Sequence, residues 1–164
     1  MRAANVLPDM IPAFVLSLIV QSSPGPGGGA TPAPLPTTAA SAVFENSGST
    51  NLTGYSIAVE PDGRATVSAG GKLTTGTVQA ATVKTLFAQL AAAGPLDQLP
   101  VEHCMKSASF GSSTFIKWKG VRSPDLSCGA GPAASNLMQT FGQIKLQLHV
   151  EPVVRSHAAP TANP

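Results

Sequence analysis

The chain has 164 residues, of which 11% are charged and 5% are aromatic, and its formal net charge is +2. This length predicts one domain with terminal tails, and the low charge argues against a charged disordered chain or a coiled coil. So small a net charge also argues against nucleic acid as a partner, because nucleic-acid-binding proteins carry a clustered Lys/Arg face.

The N-terminal region contains an apolar run, residues 10–20, after a short start that carries Arg2. The run is too short to span a bilayer and is typical of the hydrophobic part of a secretory signal peptide. Asp9 and Pro12 fit that pattern poorly, so a buried N-terminus is the alternative. We predict a signal peptide over 1–22, a secreted or periplasmic protein, and no membrane span in the mature chain.

The next stretch, residues 23–42, is rich in Pro, Gly, Ala and Thr. Such a composition predicts a disordered linker, because proline removes backbone donors and little apolar surface is available to offset the ordering entropy. Residues 151–164 have a similar character and predict a disordered tail. The folded domain is therefore expected over 43–150.

The first predicted element of the domain is a β-hairpin. Residues 55–59 alternate between large apolar and smaller side chains, as in a strand with one buried face. The sequence of residues 60–63, EPDG, is a strong turn signal, and Ala65 and Val67 resume the alternation.

Residues 77–93 predict a helix, with Thr77 as its N-cap and Gly94 followed by Pro95 as its stop signal. The apolar stripe follows helical spacing. Its members are Val83, Leu86, Phe87, Leu90 and Ala91. We expect Phe87, at the centre of the stripe, to be the residue that contacts both the hairpin and the following strand.

Two more strands and a second helix complete the predicted elements. A strand is predicted over 113–118, where two unlike faces alternate, and a further strand near Val121. Pro132 is well placed in the first turn of a helix that should reach Leu148. Its predicted stripe is Leu137, Met138, Phe141 and Ile144. The alternative is a strand over 144–150, because apolar residues also alternate there.

The elements follow the order ββαββα. This order predicts an α+β fold in which a small antiparallel sheet carries two helices on one face.

The chain has two cysteines, Cys104 and Cys128. In an exported protein they are expected to form one disulfide. The alternative is a metal site that adds His103 and His149. Adjacent His103 and Cys104 chelate poorly, however, and neither a CxxC nor an HxxxH spacing occurs. We therefore predict a disulfide, no metal and no cofactor.

No arrangement of residues predicts a catalytic site. Thr114 and Lys117 have the spacing of a hydroxyl–lysine pair, but side chains three apart on a strand point to opposite faces. The members of a Ser-His-Asp set are available in any chain of this size. Here they would be drawn from His103, His149, Asp97 and Asp125.

The end of the 113–118 strand carries a possible interaction surface. It consists of Lys117, Trp118, Lys119 and Arg122. A tryptophan on a half-buried strand is more typical of a core or core-edge residue than of an exposed binding anchor. The basic residues are also typical of a solvated strand edge.

Three stretches resemble small secreted bacterial domains of unknown function: GYSIAVEPDGRATV, VKTLFAQLAAAGPL and FGSSTFIKWKG with the later SPDLSC. More distantly, residues 44–148 are similar to emfourin-like proteinaceous inhibitors of metalloproteases. This similarity rests on the order of the elements and the hairpin, and it implies a small sheet combined with helices.

We expect a non-catalytic exported interaction or structural domain, held by one disulfide, that binds an unknown protein partner as a monomer or weak dimer. A secreted protease inhibitor and a small hydrolase are the alternatives. An exposed rigid loop pinned by the disulfide would favour the inhibitor. A concave pocket that gathers a histidine, a carboxylate and a hydroxyl would favour the enzyme.

Overall fold

The computed structural model describes residues 34–155. The predicted signal peptide, 1–22, most of the predicted linker and the end of the predicted tail lie outside the described residues.

Within the described range the chain forms six strands and two α-helices. In chain order they are β1 (Ala42–Asn46), β2 (Tyr55–Val59), β3 (Arg64–Ala69), β4 (Lys72–Thr77), α1 (Ala80–Ala92), β5 (Thr114–Trp118), β6 (Val121–Arg122) and α2 (Gly131–Gln147). The strands form one antiparallel sheet in the order β4-β3-β2-β1-β5-β6, and both helices pack on one face. The predicted α+β class is confirmed, with two strands beyond the predicted order.

The first unpredicted strand, β1, lies inside the sheet and joins the two predicted strand pairs. Phe44 pairs with Ile57 of β2 on one side and with Ile116 of β5 on the other. All three side chains are fully buried. The strand begins at Ala42, which is also fully buried although it belongs to the stretch predicted as linker. A five-residue strand with one large aromatic residue leaves little periodic signal in the sequence.

The second unpredicted strand, β4, forms one edge of the sheet. It follows β3 through Gly70 and Gly71, whose φ angles are 56° and 77°. Two consecutive residues with positive φ are what a tight hairpin turn requires, and glycine adopts them without strain. Because nearly every residue of β4 is exposed, the strand lacks the apolar alternation by which the other strands were predicted.

Helix α1 begins at Ala80, later than predicted, because Thr77 completes β4 instead of capping the helix. Its end is as predicted, with Gly94 at a φ of 72°. The centre of its buried face is Leu86, which is fully buried, and not Phe87. Phe87 is half-buried, and its ring centroid lies 6.4 Å from that of Trp118 on β5.

Helix α2 confirms the predicted second helix and excludes the alternative strand over 144–150, since the helix runs to Gln147. Its buried face meets the centre of the sheet. Phe141 stacks on Phe44 with ring centroids 4.5 Å apart, and its centroid lies 6.3 Å from that of Tyr55 on β2. The core therefore lies between the two helices and this face of the sheet. Burial of each such large apolar side chain stabilises the fold by about 2–3 kcal/mol.

Candidate functional site

The segment between α1 and β5 differs from the rest of the domain. Every residue from Val101 to Phe110 is exposed, and apart from a single bridge at Val101 and a turn over 108–110 the segment has no regular structure. We call residues 101–113 the disulfide loop, because the Cys104–Cys128 disulfide ties it to the domain. The bond confirms the predicted pairing, and its two Cα atoms lie 5.6 Å apart.

The start of the disulfide loop runs beside the segment that contains Cys128. Val101 forms an antiparallel bridge with Gly129, and the Glu102 amide donates to the Cys128 carbonyl oxygen at 2.8 Å. The Ala130 amide donates to the Pro100 carbonyl oxygen, also at 2.8 Å. The entry to the loop is therefore held by backbone hydrogen bonds as well as by the disulfide.

Two residues after Cys104, the side chain of Lys106 makes a second attachment. Its Nζ donates to the Ser112 carbonyl oxygen at 2.9 Å and to Ser127 Oγ at 2.7 Å. It also contacts Ser113 Oγ at 3.1 Å and forms an ion pair with Asp125. Since the ammonium contacts four oxygens, it connects the loop to the start of β5 and to the 3-10 turn Leu126–Cys128.

Asp125 holds the other side of this cluster. Its Oδ1 accepts hydrogen bonds from the Thr114 and Ser127 amides, each at 3.0 Å. Partial burial acts to raise the pKa of Asp125, but the hydrogen bonds from Lys106, Ser113, Ser127 and Thr114 outweigh it. They hold the pKa well below the ordinary range of an aspartic acid. The carboxylate is therefore charged near neutral pH.

The far end of the disulfide loop rests on the connection between β1 and β2. Ser49 Oγ donates to the Ser109 carbonyl oxygen at 2.6 Å, and Thr50 Oγ1 donates to the Ala108 carbonyl oxygen at 2.9 Å. The loop then turns at Gly111, where a Cβ atom would lie only 2.5 Å from the Ser107 carbonyl oxygen. Only glycine fits this close approach. Both ends of the loop are thus attached to the domain.

The two most exposed large apolar side chains of this tethered segment are those of Met105 and Phe110. Met105 is 95% exposed and Phe110 is 61% exposed. Among residues 34–155, no hydrogen-bond partner is present for the backbone amides and carbonyls of His103 to Lys106. Exposed apolar side chains beside free backbone groups are the elements by which an extended peptide is recognised by another protein.

The sequence patterns did not single out Met105 or Phe110. Both lie in a hydroxyl-rich stretch without strand or helix periodicity, so no pattern assigned them to a core. The available signal was that they are the large apolar residues of an aperiodic stretch that begins at the first cysteine.

The residues predicted as an interaction surface lie on two faces of the sheet. Lys117 and Arg122 lie on the face away from the helices, where both bind the Glu45 carboxylate, at 3.1 and 3.0 Å. Partial burial acts to raise the pKa of Glu45, but these two hydrogen bonds outweigh it, and the pKa is lowered. Arg122 also stacks on Phe115, with its Cζ 3.6 Å from the ring centroid.

Trp118 lies on the opposite face from Lys117, half-buried beside Phe87. Lys119 covers the Trp118 ring, with its Nζ 4.2 Å from the centroid. The four predicted residues are therefore divided between the two faces of the sheet, because neighbouring positions of a strand point to opposite faces. Three of them, Lys117, Trp118 and Lys119, nevertheless line one small pocket.

The positions of these side chains give little support to the alternative of a small hydrolase. His103 and His149 are both exposed, and the side chain that engages Asp125 is Lys106 and not a histidine. Lys106 lies close to Ser127 Oγ, but the Ser127 hydroxyl donates to Asp125 Oδ1 at 2.5 Å. Lys106 thus acts as a donor to Ser127, whereas a general base would have to accept the proton of that hydroxyl.

A groove of ≈ 780 Å³ lies on the sheet face away from the helices, between residues 36–38 and strands β3 and β4. Its lining consists mainly of threonines and small residues, with Glu60 and Arg64 as its charged members and no histidine. Among residues 34–155, His, Cys, Asp and Glu side chains form no group that could hold a metal ion. In the same range, none of the helices is long and apolar enough to cross a membrane.

Comparison of the chain with protein-family models, with curated proteins and with solved structures gives no match in any of the three.

Proposed function

We propose that this chain is a non-catalytic exported domain that binds a protein partner through the disulfide loop. The observation that carries the proposal is the pair of exposed side chains, Met105 and Phe110, on a segment attached to the domain at several points. An exposed apolar side chain gains free energy when a partner covers it. A loop already held in one conformation loses little conformational entropy on binding.

Export agrees with the apolar run over 10–20 and with the disulfide, since disulfides persist in oxidising compartments. A second candidate function, a secreted protease inhibitor, is favoured by the same observation. Tight protease–inhibitor pairs use rigid, preorganised loops, and the disulfide loop has the tethers that such a role requires. The weak similarity to emfourin-like inhibitors points in the same direction.

The test is capture of a partner from the secreted fraction of the producing organism, with the disulfide-intact protein as bait. We expect a specific partner to bind the wild type and to be lost with a Met105→Ser and Phe110→Ser double variant. Replacement of either residue alone should weaken binding about tenfold or more, because both are central contacts.

The matched control is Leu146→Ser, which removes another exposed apolar side chain, 76% exposed, from helix α2. It should bind the partner as the wild type does. Capture that survives the loop double variant, or that is lost with Leu146→Ser, would place the binding surface elsewhere and contradict the proposal. Thermal melts of all three proteins show whether each variant is folded.

A further inference from the structure

Two attachments of the disulfide loop, the disulfide at Cys104 and the side-chain contacts of Lys106, lie on either side of one residue. Cys104 precedes Met105 and is bonded to Cys128. Lys106 follows Met105, and its Nζ contacts Asp125 and Ser127. Both attachments therefore lead to the same short segment, 125–128, which includes the 3-10 turn. The Met105–Lys106 bond is thus bracketed by two tethers to one support.

Met105, the residue between the two tethers, is exposed enough for its side chain to enter a pocket of another protein. Met105 is 95% exposed, the highest value among the large exposed apolar side chains of residues 34–155. Its neighbours at 104 and 106 point to the domain, so Met105 alone of the three is directed to solvent. The backbone groups of residues 103–106 also lack partners within the described residues, and they are free to pair with an enzyme.

We propose that a serine endopeptidase whose primary pocket accepts large apolar side chains binds this domain as it binds a substrate, at the Met105–Lys106 peptide bond. The inference rests on the proposed function, because it identifies the partner that the disulfide loop binds. Met105 fills the enzyme's pocket, and the free backbone groups on either side pair with the enzyme's substrate-binding strand.

The tethers determine the outcome of the attack. The enzyme's serine Oγ adds to the Met105 carbonyl carbon, the bond to the Lys106 nitrogen breaks, and that nitrogen takes a proton to leave as an amine. Hydrolysis of the acyl-enzyme by water, which gives a Met105 carboxylate and free serine, competes with attack of the Lys106 amine on the same acyl carbon, which re-forms the peptide bond and releases the serine. Because Cys104 and Lys106 hold both new ends to residues 125–128, the amine stays beside the acyl group at a high effective concentration and re-forms the peptide bond. Turnover is therefore slow, and the enzyme stays occupied.

This reversal requires an acyl-enzyme, which serine endopeptidases form. A metalloprotease activates water directly and forms no acyl-enzyme that the retained amine could attack. Thermolysin is therefore included in the test beside chymotrypsin and subtilisin, which accept large apolar residues, and trypsin, which accepts Lys and Arg.

The experiment measures the inhibition constant of the disulfide-intact protein against each of these four enzymes with a chromogenic peptide substrate. We expect micromolar or tighter inhibition of chymotrypsin or subtilisin. Met105→Gly should weaken this inhibition at least about 100-fold, because the primary pocket of the enzyme then stays unfilled. Met105→Lys should transfer inhibition to trypsin. The control Leu146→Ser, on helix α2 and outside the loop, should change the inhibition constant less than about threefold.

Mass spectrometry after long incubation identifies the bond. One cut between Met105 and Lys106, with the gain of one water and fragments that separate only on reduction, supports the proposal. A cut after Lys106, degradation at many sites, inhibition of thermolysin alone, or equal inhibition by Met105→Gly overturns it. Failure to inhibit any of the four enzymes also overturns it. If capture of another protein still depends on Met105 and Phe110, the proposed function stands while this inference falls.

Discussion

The helix-covered face of the sheet and the disulfide loop are two regions of one small domain that are stabilised in different ways. On the sheet, Phe44 and Ile116 are fully buried and packed against the helices. In the loop, every residue from 101 to 110 is exposed, and the chain is held by a disulfide and by hydrogen bonds. A packed core determines the fold through apolar burial. A tethered loop can keep one conformation while its side chains stay free for a partner.

The largest difference in stability between the two regions is expected when a phenylalanine is removed from each. Phe44→Ala removes a fully buried ring that stacks on Phe141, and we expect a loss of about 3–5 kcal/mol in the free energy of unfolding. Phe110→Ala removes the same side chain from a site that is 61% exposed, and it should change that free energy by less than about 0.5 kcal/mol. Urea melts of both variants measure the contrast. Similar losses would mean that the loop packs as part of the core.

The second contrast concerns the disulfide. A double Cys104→Ser and Cys128→Ser variant should lose up to about 3.5 kcal/mol, the value of the chain-entropy model for a loop of this length. The m-value for urea should rise, because the unfolded chain without the cross-link exposes more surface.

Hydrogen exchange of the same variant sharpens the comparison. Amides of residues 102–111 that are hydrogen-bonded in the wild type should lose protection first, while those of β1 and β2 should keep theirs under native conditions. Equal loss in both regions would show that the disulfide supports the whole domain and not the loop in particular.

The third and smallest contrast concerns Asp125, which anchors the loop through charge. Because its pKa is lowered in the folded protein, its contribution is fully present above the pH at which an unfolded aspartic acid titrates, roughly 3.9. The contribution is lost as the pH falls from there through the lowered folded pKa. Asp125→Asn should therefore destabilise the domain by about 1 kcal/mol near neutral pH.

In strongly acidic solution the two proteins should converge in stability. Urea melts of wild type and variant from neutral pH downward measure the difference. A difference that grows as the pH falls would contradict the lowered pKa and the role of Asp125 as the acceptor for Lys106. The same titration of Phe44→Ala serves as the control, since its deficit should show no such dependence on this carboxylate.

Local patterns predicted much of the fold. The turn at 60–63 and the alternation before and after it predicted the β2–β3 hairpin, and Gly94 with Pro95 marked the end of α1. These features depend on the φ preferences of a few adjacent residues, which the sequence displays directly. Strands β1 and β4 were missed because one has a single large aromatic residue and the other is almost fully exposed.

The candidate site was harder to predict because side-chain direction depends on tertiary packing. Phe87 and Leu86 both belong to the apolar stripe of α1, but the packing of the helix against the sheet buries Leu86 and leaves Phe87 half-buried beside Trp118. In the same way, Lys117 and Trp118 are neighbours in sequence and lie on opposite faces of the sheet.

The amino-acid sequence by itself determined the class of fold, the C-terminal end of α1 and the pairing of the two cysteines, because these depend on periodicity, turn residues and the absence of a competing thiol. Only the tertiary structure decided that β1 joins the two halves of the sheet. It also decided that Lys106 turns inward to Asp125 while Met105 points to solvent. Contacts between residues far apart in the chain settle such choices, and no local pattern records the register or the direction from which those contacts come.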